Sequence, residues 1–474
     1  MAAANHAHFI GIAGIAMSAV ALLLREQGWS VSGSDEGFYP PASEILPAAG
    51  VTILTPHAAG NIPPETTLIV LGSLSTHTPA NPEVAAAWAL HREQGIALKP
   101  YAEVVRMIAE GRQRLVVCGS YGKSTTASLV AWALTHAGVD AGYMLGARAV
   151  DLPRNSHLGT AAPFVLEGDE YPSRNTDNKA KFLHYAPDTV VVTSAQHDHP
   201  NVFPTHGDYL KSFQELLAGM GTGTTCVMCA DDEHVRGLVP YAAGRCVMYG
   251  LDAAFKPDYT AHDITYGMLT TFTLAKHGKA LCRVTSTQLG EHNVQNMVGA
   301  AALLLENGLV SPEQFAAAMR DFHGIKRRME RLNPEGSIPV YEGFGSSADK
   351  ARSAIAAMRL HFPHNRLVTI FEPHTLGWIN RVNLPDYDTA FTGTDELFVY
   401  PPRAGGDVDR LSQSDIMERL VKSFQGNAYA LTTDLAANMA AVTSHIQPDD
   451  VVLILTSAHL GGLIPPLTEF YSKA

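Results

Sequence analysis

The sequence predicts an α/β protein of three domains, each a sheet flanked by helices. Three observations predict it. The chain has 474 residues, too many for one compact core. Short apolar runs alternate with helical patterns through most of its length, the grammar of parallel sheets covered by helices. A glycine loop at residues 119–122 stands between a strand-like run and a helical one, restarting the alternation after a first unit has closed.

The first domain, residues 1–108, reads as Rossmann-like. HFIGI is its first strand, IAMSAVALLLREQG a helix closed by Gly28, and SVSGSD the end of a second strand. VTIL, TLIVLG and IALKP continue the series. The central domain, residues 109–325, opens with RLVVCGSYGKSTTASLVAWALTHAG: strand, loop, helix. FVLEGD, TVVVTSA and TTCVMCA are further strands, and residues 291–306 form a long helix. The third domain, residues 326–474, begins with the strand SIPVYEGF and the helix ADKARSAIAAMRLHF. RLVTIFEP, ELFVYP and VVLILTSA then alternate with helices around 411–424 and 433–446.

Composition narrows the function classes. Hydrophobic residues make up 46% and charged residues 17%, as in an ordinary folded chain. No apolar run is long enough to span a bilayer, and MAAANHAHFIGIAGIAM has neither a basic start nor a cleavage pattern, so a cytoplasmic location is expected. The net charge of −12 gives a nucleic acid no footprint. Cys118, Cys226, Cys229, Cys246 and Cys282 are expected as reduced thiols, with the C-x-x-C at 226–229 a pair of buried spectators in a strand.

The strongest local signal is Gly119-Ser-Tyr-Gly-Lys-Ser-Thr-Thr126. Successive backbone N–H groups from Gly119, Ser120 and Gly122, with the helix start through Thr125, make an anion site. Lys123 adds charge near terminal phosphates, and Ser124 offers the hydroxyl that such loops place on Mg²⁺. Val117 stands where a longer phosphate loop has glycine, so this is the shorter G-x-x-G-K-S form. Between a strand and a helix, it binds nucleotide. Gly11-x-x-Gly14 is a weak dinucleotide fingerprint, with Asp35 where a ribose-binding acid stands. In Gln196-His-Asp-His199, two imidazoles and a carboxylate within three residues also describe a transition-metal site, since His197 and His199 share one face of an extended segment.

Taken in order, these motifs resemble the Mur ligase family, and among its branches the murein tripeptide ligases most. The short phosphate loop is similar to the family's G-T-H-G-K-T-T, Gly11–Ser18 to its G-I-G-G-x-G-M-S, and Gly33–Asp35 to its G-S-D. Phe38-Tyr-Pro-Pro41 and Lys181-Phe-Leu-His-Tyr185 resemble tripeptide ligase motifs. Asn81-Pro-Glu83, Glu167-Gly-Asp-Glu-Tyr171, Asp198-His199 with Asn201-Val-Phe203, Gly290-Glu-His-Asn293 with Asn296, and Arg327-Arg328 with Glu330 follow the family order.

The resemblance implies the three-domain Mur ligase architecture and an ATP-dependent ligase. In such an enzyme a substrate carboxylate is activated as an acyl phosphate and then captured by an amino acid or peptide amine. It implies ATP held by Gly119, Ser120, Gly122, Lys123, Ser124, Thr125, Asn293, Arg327 and Glu342. Mg²⁺ would sit on Ser124, Glu170 and His199, with Lys123, Glu170 and His199 at the chemistry. A UDP-sugar substrate would lie on Gly11, Gly14, Met17, Ser18 and Asp35, and the amine near His374 and Arg381. Monomer and homodimer both fit.

The third domain departs most. The family's D-D-Y-A-H-H-P is Glu342-Gly-Phe-Gly-Ser-Ser-Ala348 here, and the arginine expected after His374 is missing. Tyr121 replaces a histidine, Gln196 a glutamate, and Ala13 and Ala16 two glycines. These changes keep two other readings open: a relative acting on a different carboxylate and amine, and a non-catalytic nucleotide-binding protein.

Overall fold

The computed structural model describes residues 5–40, 42–72, 81–173, 179–199, 202–403 and 409–473. Pro41 and Asn201, used in the motifs above, lie outside them. The chain forms two compact units. One comprises Met1–His262, Thr273–Val284 and Gln295–Met319, the other Asp263–Phe272, Thr285–Val294 and Arg320–Ala474. Three sheets, each flanked by helices, give the expected α/β architecture.

The first sheet lies in the first unit and is all parallel, in the order Thr52–Leu54, Ser30–Ser34, His6–Ile10, Leu68–Leu71, Ala97–Pro100. Every residue of His6–Ile10 is buried, because helices cover both faces of a parallel sheet. The strand was expected at residues 8–12. It ends at Ile10 because Gly11, at φ +85°, turns the chain out of the sheet. The helix Ile15–Glu26 buries an unbroken run from Met17 to Leu24, so its whole circumference is packed. Its last residue ties it to a later stretch of the same unit: Glu26 pairs with Arg154 and accepts the Leu158 N–H at 2.7 Å.

Among the described residues, the second sheet has ten strands. Its parallel centre runs Arg245–Tyr249, Thr225–Cys229, Thr189–Val192, Gln113–Cys118, Pro163–Glu167, Gly142–Met144. Val190–Val192 and Leu115–Cys118 are completely buried, as the apolar runs predicted. Tyr259–Thr265, Thr270–Lys276 and Lys279–Ser286 extend one edge and have no counterpart in the reading above. Their threonine-rich alternation marks strands with one wet face, a weaker signal than a continuous apolar run. The expected helix at 291–306 is present as Glu291–Glu306.

The third sheet, in the second unit, has the order Arg328–Arg331, Val340–Gly343, Val451–Leu455, Leu367–Phe371, Glu396–Val399, Asn427–Ala430. Its first pair is antiparallel and the rest are parallel. Val451, Leu453 and Leu455 pack on one face with Phe371 and Trp378, while Val452 and Ile454 pack on the other with Val368 and Leu467. Period-two alternation thus feeds two cores from one fully apolar strand. Among the described residues, no helix is long and apolar enough to cross a membrane.

A candidate nucleotide and cation site

The strand Gln113–Cys118 delivers the loop, and the helix Lys123–His136 receives it. Two glycines are sterically required. Gly119 sits at φ +131°, where a Cβ would stand 2.3 Å from Thr193 Oγ1. Gly122 is at φ +82°, and its Cβ would stand 2.5 Å from Asn296 Oδ1. Gly122 is also the helix N-cap and supplies no side-chain cap, so the first-turn N–H groups, Thr125 among them, keep the positive end of the helix available to an anion. Ser120 is turned inward, its hydroxyl donating to the Gln196 carbonyl and lying 3.0 Å from the Tyr209 hydroxyl.

Lys123 Nζ donates to both oxygens of Glu170 at 3.0 Å, and the Glu170 side chain is completely buried. Burial opposes the charge on Lys123, yet Glu170 outweighs it and holds the ammonium above its ordinary value. Ser124 donates to Glu167 Oε1 at 2.7 Å, and the other Glu167 oxygen accepts the Gly146 N–H. The residue that holds the Ser124 hydroxyl is therefore Glu167, which the motif contained but no site reading used.

His199 Nε2 lies 3.4 Å from both Glu170 Oε1 and Asp198 Oδ2. The Glu170 contact raises its basicity more than burial lowers it. The candidate ligand atoms of Glu170, Asp198 and His199 all fall within 4.8 Å of one another. Two carboxylates beside a phosphate loop with a serine hydroxyl suit a hard divalent cation such as Mg²⁺, and the imidazole is the softer member of the set. His197 does not join them. His199 is at φ +56°, so the segment is not extended there, and the His197 ring bonds the Phe203 carbonyl at 2.9 Å and stacks on His206. The paired-imidazole metal site that an extended segment would have made is not formed. Tyr209, completely buried, sets its hydroxyl 3.4 Å from Glu170 and was missed because an aromatic at helical spacing reads as core.

At the first sheet, Gly11 and Ile12 donate to the Ser34 carbonyl, and Asp35 Oδ2 accepts the Ala13 N–H at 2.9 Å. Gly14 caps the helix, with room for a Cβ, its nearest contact being 3.8 Å away. Met17 and Ser18 are buried in the helix below. Asp35 thus shapes the loop. Beneath it, buried Glu83 accepts from the Ser34 hydroxyl at 2.7 Å, the Ala58 N–H at 3.0 Å and the Asn61 amide at 3.1 Å, and lies 2.7 Å from His8 Nε2. The N-P-E match located Glu83 but gave it no task.

In the second unit, Asn293 donates to the Leu289 carbonyl at 2.8 Å. Arg327, at φ +63°, bonds Glu342 at 3.0 Å and the Ala458 carbonyl at 2.8 Å. Burial raises Glu342 above its ordinary value, and Arg327 pulls against that. Ser347, where a histidine was expected, caps the helix Ala348–His361. His374 is part-exposed and 4.0 Å from Glu372. Arg381 is held by Asp409 at 3.2 Å and Asp415 at 3.1 Å, so an incoming carboxylate would compete with two already in place.

The description "Mur ligase family, catalytic domain" matches residues 6–113, and "Mur ligase middle domain" matches residues 117–304. The UDP-N-acetylmuramate–L-alanine ligase of Gloeobacter violaceus is 31% identical, covering 98% of this chain and 95% of its own. The chain belongs to the Mur ligase family. It is accordingly an ATP-dependent enzyme forming C–N bonds. The enzyme of the same name from Thiobacillus denitrificans is also 31% identical, over 98% of both chains. The solved UDP-N-acetylmuramate–alanine ligase of Thermotoga maritima shares the fold at a TM-score of 0.75, with 24% identity and 99% of both chains covered. The murein peptide ligase of Psychrobacter arcticus does so at 0.64, with 23% identity over 99% of both chains. Both of these sequence relatives carry the alanine ligase name, not that of the tripeptide ligases suggested by residues 38–41 and 181–185. A murein peptide ligase stands among the fold neighbours.

Proposed function

We propose that this Mur ligase couples the amine of an amino acid or peptide to the carboxylate of a UDP-N-acetylmuramate-type nucleotide, using ATP and Mg²⁺. In this reading residues 109–325 bind ATP, 1–108 the nucleotide sugar and 326–474 the amine. The observation that carries it is the meeting of Lys123 with buried Glu170, and of Glu170 with His199 and Asp198, beside an uncapped helix start. The donor set fits a divalent cation on Glu170, Asp198 and His199, with Ser124 adjacent. Bound there, the cation would supply charge neutralisation for phosphoryl transfer. Lys123 binds and orients the terminal phosphate, and the first-turn backbone N–H groups through Thr125 fix the rest, since the N–H groups of Ser120 and Tyr121 donate to the carbonyl and hydroxyl of Ser194. Gly11, Gly14, Met17, Ser18 and Asp35 are assigned to the diphosphate and uridine, Asn293, Arg327 and Glu342 to the nucleotide, and His374 to the amine side.

The names of the full-length relatives favour L-alanine as the amine. The Lys181-Phe-Leu-His-Tyr185 motif favours the tripeptide L-Ala-γ-D-Glu-meso-diaminopimelate, so peptide recycling stays within the proposal. Phosphate release from ATP, Mg²⁺ and UDP-N-acetylmuramate, with each amine in turn, tests the reading. Release that needs the nucleotide sugar and one of these amines is the expected result; none with either amine sinks it. A second reading, a different carboxylate and amine pair, is favoured by the commitment of Arg381 to Asp409 and Asp415. It expects MgATP binding without stabilisation by UDP-N-acetylmuramate.

A further inference from the structure

Cys226 and Cys246 lie on neighbouring strands of the second sheet, Thr225–Cys229 and Arg245–Tyr249, and are register partners in a parallel pair. Partners on adjacent strands project from the same face, and the strands stand roughly 4.8 Å apart. That spacing falls inside the Cα range a disulfide spans, roughly 4.4–6.8 Å. The Cys226 thiol points to the Met220 sulfur, 3.8 Å away. Cys229, the other member of the C-x-x-C, is an odd number of residues along the strand, so it projects from the opposite face, and its register partner is Tyr249. Cys226 is completely buried and Cys246 part-exposed. The outer neighbour, Tyr259–Thr265, joins the Cys246 strand at Tyr249, the end away from Cys246.

We propose that Cys226 and Cys246 form a reversible dithiol–disulfide couple, in which Cys246 meets a peroxide oxidant and Cys226 resolves the product. The neighbouring Cys226 thiol lowers Cys246 below the ordinary thiol value against the effect of burial, and Cys226 is itself pushed up. Cys246, the part-exposed member, therefore carries the greater thiolate fraction of the two, and the thiolate is the nucleophile. It attacks one peroxide oxygen: an S–O bond forms, the O–O bond breaks, and hydroxide leaves. The departing hydroxide takes the Cys226 proton and becomes water. Cys226 then attacks the sulfenic sulfur; the S–S bond forms, and the S–O oxygen, protonated by the medium, leaves as a second water. Two electrons pass from the sulfur pair to the peroxide. The couple is independent of the ligase reading, and the sequence pointed elsewhere because only Cys226 and Cys229 are near one another along the chain.

The test is oxidation of the full chain with a small excess of hydrogen peroxide at pH 7, followed by alkylation and digestion without reductant. Mass spectrometry is expected to show one Cys226–Cys246 linked peptide, lighter by two hydrogens and lost on treatment with dithiothreitol. Cys229→Ser leaves the link in place, and Cys246→Ser removes it. Cys226→Ser strands Cys246 as a sulfenic acid that dimedone traps. A Cys226–Cys229 link overturns the proposal. So does wild-type Cys246 passing to the sulfinic acid unlinked, or oxidising no faster than Cys282. The wild-type measurement needs no variant to fold.

Discussion

Lys123 and Glu83 are the two side chains on which single substitutions bear most directly. Lys123 Nζ sits on both Glu170 oxygens, 3.0 Å away, in a site where charge on a transferring phosphate would have few other cations to meet. Lys123→Ala is expected to lower phosphate release at least about 100-fold, the scale for losing one transition-state donor. Unchanged release takes Lys123 out of the mechanism. Glu83 is a different case, because its task is structural. Burial alone would raise its carboxyl, but the bonds from His8, Ser34 and Asn61 prevail and hold it below its ordinary value. Glu83→Ala strands several donors at once, so urea unfolding should show a loss on the order of 3 kcal/mol; a change within about 0.5 kcal/mol, the surface norm, refutes that role. At this scale the motif picked out Lys123 and Ser124, which the structure sets against the carboxylates Glu170 and Glu167. Glu167 and Tyr209 were not assigned, because their contacts with Ser124 and Glu170 are made only when separate parts of the chain come together.

The glycine loop and the helix Ala348–His361 carry predictions of their own. Gly122→Ala puts a Cβ 2.5 Å from Asn296 Oδ1 at φ +82°, so the loop must shift and the anion site with it. Loss of the ATP-induced thermal shift is expected, and an undiminished shift would falsify the steric argument. The helix Ala348–His361 ends in a buried imidazole that works only when neutral. His361 Nε2 accepts the Gly290 N–H at 2.8 Å, and Nδ1–H donates to the Gly267 carbonyl at 2.7 Å. Burial holds His361 and His292 below the ordinary imidazole value of about 6.5. As pH falls below about 6.5 the unfolded chain binds more protons than the folded one, so stability is full above that value and lost beneath it. The melting temperature at pH 5.5 should lie below that at pH 7.5, and His361→Gln should narrow the gap. An equal gap in the variant assigns the effect to other groups. Elements were legible where periodicity was strong: Glu291–Glu306 matched, and the apolar strands matched within about three residues. The strands between 259 and 286 were missed because their polar alternation resembles loop.

Over the whole molecule, three α/β sheets could be expected from the alternation of runs, but the strand orders could not, since crossovers leave no mark in a single chain. Electrostatics is where the whole-chain charge of −12 meets the site. Glu167, Asp169 and Glu170 all act on Lys123, and Asp198 acts on His199. One ammonium, already paired, cannot neutralise a triphosphate brought among these carboxylates; at such separations like charges repel strongly unless a divalent cation lies between them. ATP with Mg²⁺ at a hundredfold excess over its dissociation constant should stabilise the native state by about 2.7 kcal/mol. The same ATP in excess chelator should give little or no shift in melting temperature. Full stabilisation by metal-free ATP would mean that Glu170, Asp198 and His199 hold no cation, and that the nucleotide is neutralised by groups elsewhere.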